Sequence, residues 1–204
     1  MQSKAVALLG GLLAAVTPVW ATNLVNNLQL LEEFNECIKC ELQGAKLNRV
    51  RLAQADLTEA DLSRSELLSA NLANAQLRGA ILIQAKLRDA ELSSSNLRGA
   101  NLAQADLRRA KLQNANLSLA NLSNTDLRGA DLSGADLSGA QLWRTNLAST
   151  NLVGAVMTNA LVVNANLKNA VLSSFTLNKT KLCGTTLPDG TVSDRDCPQL
   201  NKPQ

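Results

Sequence analysis

The chain has 204 residues, with 20 basic and 17 acidic side chains, a formal charge of +3, two Phe, two Trp, no Tyr and no His. So few rings exclude an ordinary aromatic-rich core, and burial must rest on Leu, Ala and Val. The absence of His removes the side chain most used for acid–base catalysis near neutral pH. A charge this mild also argues against a nucleic-acid binder, which concentrates basic residues in a patch.

Residues 1–21 read as a secretory leader. Lys4 supplies the charged start, "AVALLGGLLAAV" (5–16) is an apolar segment of 12, and Val19 and Ala21 stand at the −3 and −1 positions of a small-residue cleavage site. A membrane span needs about 20 apolar residues, so an uncleaved anchor is the lesser alternative. The expectation is cleavage after Ala21 and export. Residues 22–39 follow as a capping segment: Leu24, Leu28, Leu31 and Phe34 recur at helical spacing, which predicts a short amphipathic helix laid over whatever comes next.

From Leu42 to Leu187 every fifth residue is apolar, thirty positions in all, of which twenty-eight are Leu and the others Met157 and Val162. Two residues earlier runs a second column, Cys40 to Thr185, in which twenty of thirty are Ala and one is Phe175. A step of five suits neither common element. It turns an α-helix by about 140° net and throws successive strand residues to opposite faces. The chain must therefore turn as often as the pattern repeats. If each pentapeptide forms one side of a square, Leu and the small residue point inward, and the two residues after Leu make the corner. Gly129, Gly134, Gly139, Asn114 and Asn124 at those corners are turn formers. Twenty residues then close one coil, and coils stack at about 4.8 Å. Thirty repeats predict seven and a half coils, an all-β solenoid over residues 40–187 stabilised by nearest-neighbour stacking.

This wording, A-(D/N)-L-x-x, resembles the pentapeptide repeat family, and the resemblance implies a right-handed quadrilateral β-helix. "CIKCELQGAKL" (37–47) is similar to the N-terminal segment of exported members. "LCGTTLPDGTVSDRDC" (182–197) resembles a C-terminal segment of cyanobacterial ones. With the leader, this points to the periplasm or the thylakoid lumen. The family implies little about activity. Members that mimic duplex DNA and protect DNA gyrase have strongly acidic surfaces and act in the cytosol, unlike this near-neutral chain.

Residues 188–204 are expected to fold back as a capping tail, with a turn at Pro188, Asp189 and Gly190. Four cysteines, Cys37, Cys40, Cys183 and Cys197, sit in pairs at the two ends. An even count in an exported chain favours disulfides, and closing the thirteen-residue loop between Cys183 and Cys197 is worth about 3 kcal/mol. Two other readings stand beside that one. Cys37-x-x-Cys40 has the form of a redox site, although thioredoxin-like chemistry wants a βαβ setting. A zinc shared by both pairs would have to bridge opposite ends of the rod.

Residues twenty apart share a face. Arg88, Arg108 and Arg128 align as a candidate cationic row, with Asp106 and Asp126 beside the last two, so that a self-neutralising surface competes with an anion-attracting one. Arg78 and Arg98 align on the opposite face. Trp143, Leu161, Val163, Ile81 and Ile83 occupy outward positions that elsewhere hold polar residues, a candidate patch for a protein partner. The alternative is that the tail packs there. The sequence presents no catalytic constellation, cofactor fingerprint or metal set. The reading is a monomeric, non-enzymatic exported scaffold or interaction module, with a redox-regulated protein as the alternative and a gyrase-binding DNA mimic as a remote one.

Overall fold

A computed structural model describes residues 19–173 and 176–197. Its repeating unit is set by the residue two places after each inward Leu. That residue takes the left-handed conformation, at φ 66° for Gly44 and Gly79 but equally at φ 59° for Arg49 and 60° for Leu119. The amide three places after Leu closes the turn onto the Leu carbonyl, as in Ala45 N to Leu42 O at 3.1 Å. A positive φ at the third position of such a turn is the signature of type II.

Twenty residues bring the chain back over itself: Asp61 bridges Ile81, and Ile81 bridges Asn101, each in parallel register. The backbone donors of one repeat show how fully this uses the chain. Leu62 N reaches Ile81 O at 2.7 Å, Arg64 N reaches Ile83 O at 2.8 Å, and Asp61 N reaches back to Cys40 O at 2.8 Å. Ser65 N closes the turn on Leu62 O at 3.1 Å. The fifth amide, Ser63 N, is bound by the Asp61 carboxylate at 2.9 Å. The same cap recurs from Asp56 to Thr58, Asn71 to Ala73, Asn121 to Ser123 and Asp136 to Ser138. Where Asp or Asn precedes Leu, the repeat is thus satisfied by the neighbouring coils and its own side chain.

The interior holds the two predicted columns, with Leu62, Leu107 and Leu142 and Ala60, Ala110 and Ala140 fully buried. Where Thr replaces Ala, its hydroxyl finds a backbone carbonyl, in the coil before for Thr125 to Leu102 at 2.8 Å and Thr145 to Leu122 at 2.7 Å, and within its own turn for Thr150 to Leu147. Ser65 and Ser95 bind Leu62 and Leu92 within their own turns, both at 2.7 Å. No buried hydroxyl in these columns is therefore left without a partner among the described residues, apart from Thr176 beside the column.

The expected unbroken phase fails in one place. Asn159 N binds Lys179 O, one residue beyond the regular partner, and Gly154 N binds the Ser173 side chain instead of a carbonyl. Thr176, at a position that is outward elsewhere, is buried. Phe175, a member of the small column in the sequence, lies outside the described residues.

Helix α1 spans Val19–Phe34. It starts three residues before the expected mature N-terminus, and the leader up to residue 18 lies outside the described residues. Leu31 enters the core, and Leu24 and Leu28 pack partly against it. Phe34, expected to join them, is 63% exposed. Polar residues take its place at the coil edge: Asn27 Nδ2 donates to Glu41 O at 3.1 Å and Asn35 Nδ2 to Ala53 O at 3.0 Å. These carbonyls would receive amides from an earlier coil.

The far end is capped with the opposite polarity. After short strands β1 (Asn151–Leu152), β2 (Leu161–Val163), β3 (Val171–Leu172) and β4 (Lys181–Cys183), β5 (Thr185–Thr186) pairs antiparallel with β6 (Val192–Ser193). The Asp196 and Asp194 carboxylates accept from the Leu182 and Gly184 amides at 2.9 and 2.8 Å, in the role that carbonyls of the next coil play elsewhere. Residues 198–204, the rest of the predicted tail, lie outside the described residues. Among the described residues, no helix is long and apolar enough to cross a membrane.

Candidate functional site

A charged cluster on the described surface grows out of the capping position itself. Asp106 precedes Leu107, caps the Arg108 amide at 3.2 Å, and holds the Arg108 guanidinium through Nε at 2.8 Å and Nη2 at 2.7 Å. One coil later Asp126 does the same for Arg128, with Nε at 2.9 Å and Nη2 at 2.6 Å. Asp126 also lies 3.8 Å from Arg108. The spacing of twenty therefore aligns Arg88, Arg108 and Arg128 as the sequence predicts, with the aspartates between them.

The row has members that the sequence reading missed. Arg109, at a left-handed corner, reaches down one coil to grip Asp89 by two hydrogen bonds of 2.7 Å. Arg88 stands 3.5 Å from the same carboxylate. The signal was available, because residues twenty apart alternate in sign down several columns: Lys86 pairs with Glu66 at 3.0 Å and Lys111 with Glu91 at 2.9 Å. Arg88, Arg108, Arg109 and Arg128 together line a hollow of about 270 Å³.

These contacts shift the charges in one direction. The Arg108 hydrogen bonds hold the Asp106 carboxyl below its ordinary value against the opposing effect of burial. Arg109 does the same for Asp89. For Asp126 burial is the larger single effect and pushes upward, but the Arg128 side chain and amide, with the charges of Arg128 and Arg108, outweigh it. Arg108 is raised in turn, chiefly by Asp106.

The apolar candidates separate. Trp143 is 43% exposed and Ile81 36%. Ile83 and Leu161 are half-buried. Val163, predicted to be outward, is 5% exposed. It pairs in register with Cys183, whose disulfide to Cys197 ties the returning tail to this face. Of the five candidates, Trp143 and Ile81 are thus the exposed ones. Val153, Val156 and Val171 are exposed as well.

Both cysteine pairs are bridged, Cys37–Cys40 with a Cα separation of 5.3 Å and Cys183–Cys197 with 4.8 Å. Asp194 lies near Cys183 and Cys197, yet sulfurs joined to one another are not thiolates and do not form a metal site there. Cys37 and Cys40 are buried, at 2% and 7% exposure, and Cys37 Sγ contacts Asn27 O of α1 at 3.3 Å.

Comparison with known proteins agrees with this geometry. The family model for pentapeptide repeats matches in eight copies, over segments that run from 36–67 to 150–187. The solved structure of HetL, a pentapeptide repeat protein involved in heterocyst differentiation regulation in the cyanobacterium Nostoc, superposes with a TM-score of 0.62. It is 34% identical over 78% of this chain and 76% of its own. QnrB1, a plasmid-mediated fluoroquinolone resistance protein, gives a TM-score of 0.63 at 20% identity, over 78% of this chain and 86% of its own, a likeness of fold alone. The curated proteins contain no match to the sequence.

Proposed function

The chain belongs to the pentapeptide repeat family, whose members fold as right-handed β-helices, and from that premise we propose that it is an exported, non-enzymatic interaction module. The observation that carries this reading is the backbone of the regular repeat, in which stacking and the turn bind four of the five amides. With four amides of the pentapeptide bound by backbone carbonyls and the fifth by Asp or Asn where one precedes Leu, the remaining outward residues can vary while the coil is kept, and the rod holds them in fixed rows. On this reading the coil has four sides, and its seven or so turns form a rod of roughly 36 Å at the strand spacing.

Export is supported by the leader pattern and by two disulfides, bonds that persist in oxidising compartments such as the periplasm or the thylakoid lumen. N-terminal sequencing of the protein recovered from cells tests it: a mature chain starting at Thr22 agrees, and an intact Met1 or Gln2 contradicts. The proposed partner is a protein received at Trp143 and Ile81, exposed apolar side chains on one face of a charged rod. A photoreactive group at position 143, with position 108 as control, should capture one protein through 143 alone. Equal capture at both sites, or none, removes Trp143 from the interface.

The redox alternative draws less support, since the Cys37–Cys40 sulfurs are shielded from reductant. The gyrase-binding alternative wants a strongly acidic surface, whereas this one carries four clustered arginines.

A further inference from the structure

We propose that the hollow between Arg88, Arg108, Arg109 and Arg128 is a binding site for a phosphoryl oxyanion, free or as a phosphate monoester. This stands apart from the protein-partner reading and does not depend on it. Three observations carry it. First, the hollow is lined by these four arginines and by no carboxylate, although Asp89, Asp106 and Asp126 hold the same side chains. An anion in the hollow therefore meets guanidinium groups, three of them already paired to a carboxylate through Nε and Nη2.

Second, the arginines are already oriented. Arg108, Arg109 and Arg128 each commit Nε and Nη2 to one aspartate at 2.6–2.9 Å. Nη1 of each has no partner among the described residues, and Arg88 has only its 3.5 Å approach to Asp89. Guanidinium groups held by one edge lose little further rotamer freedom when the other edge binds.

Third, the charges do not cancel. Four guanidiniums share three carboxylates, with Asp89 split between Arg88 and Arg109 and Asp126 between Arg108 and Arg128. Three of the four stack at the coil repeat, about 4.8 Å apart, where like charges repel. A further carboxylate satisfies at most two such groups in its plane. A tetrahedral oxyanion presents acceptors in several directions and can bridge guanidiniums from successive coils and from both the flat side and the corner.

The test is calorimetric titration of the purified chain with inorganic phosphate, pyrophosphate and AMP, with a poly-aspartate peptide as competitor. Side-chain NMR of the arginines is followed in parallel. Saturable binding of pyrophosphate above phosphate assigns a free polyanion, and preference for AMP assigns a monoester; either supports the site. Substituting Arg88→Gln with Arg109→Gln should weaken binding by about tenfold or more, as expected for lost charge-assisted hydrogen bonds. Arg78→Gln with Arg98→Gln, on the opposite face, should leave it unchanged. If the double variant melts abnormally, Arg88→Gln alone serves, because Arg88 has the weakest ion pair of the four. The proposal is overturned by no saturation with any of the three anions, by equal loss in both pairs of variants, by shifts confined to other arginines, or by preferential binding of the peptide.

Discussion

Asp136 binds the amide of Ser138 at 2.9 Å, and that single contact explains why the residue before each Leu is so often Asp or Asn: it satisfies the one amide that stacking does not reach. Replacing Asp136 by Ala should cost about 1 kcal/mol and Asp136→Asn much less, measured by chemical denaturation. Equal losses would mean that the cap contributes nothing beyond charge. The corners carry a second residue-level tension. Leu119 is more than half exposed and left-handed, a conformation that costs a branched side chain of order 1–2 kcal/mol and that Asn tolerates. Leu119→Asn is therefore expected to raise the denaturation midpoint. The arginine cluster adds a pH dependence. Asp89 and Asp106 lie below their ordinary value of 3.8 in the folded chain, so their contribution to stability is complete above that value and is lost as pH falls through the lower folded values. The melting temperature should be insensitive to these groups above about pH 5 and should drop only below about pH 4. A drop that begins near pH 6 would point to other groups.

A coil is the unit at the next scale, and its energy lies in the inward columns. Leu107→Ala removes a fully buried side chain from a tight interior and should cost about 2–5 kcal/mol. Because contacts run only to the coils above and below, amide exchange should accelerate chiefly within about twenty residues on either side. Uniform acceleration along the rod would show a single cooperative unit instead. Helix α1 and the β5–β6 hairpin do the same work with opposite chemistry. The N-terminal edge leaves carbonyls facing outward and receives the amides of Asn27 and Asn35. The C-terminal edge leaves amides and receives the carboxylates of Asp194 and Asp196. Both caps close edges that would otherwise invite another strand.

For the whole molecule, the bridges sit where a stack is weakest, at its two ends. Removing Cys183–Cys197 by Cys→Ser at both positions should cost about 3 kcal/mol and release the tail first, which limited proteolysis after Arg195 would detect. Thiol trapping under mild reductant should find Cys37–Cys40 still closed because of its burial; ready reduction would revive the redox reading.

The fold was legible in the sequence because a period of five that holds for thirty repeats admits so few backbone solutions. The inward columns, the corners and the alignment of Arg88, Arg108 and Arg128 all follow from counting in fives and twenties. What counting does not reach is the direction of a side chain that has left the repeat's own plane. The pairing of Arg109 with Asp89, the exposure of Phe34 and the burial of Val163 depend on how one coil, the helix or the tail meets the next. The pairing of Asn159 with Lys179, one residue beyond the regular partner, is likewise not written in the period. The sequence by itself determined the coil, since stacking satisfies nearly all of its backbone from one local rule. Tertiary structure alone decided which outward residues converge, and it placed four arginines around one hollow.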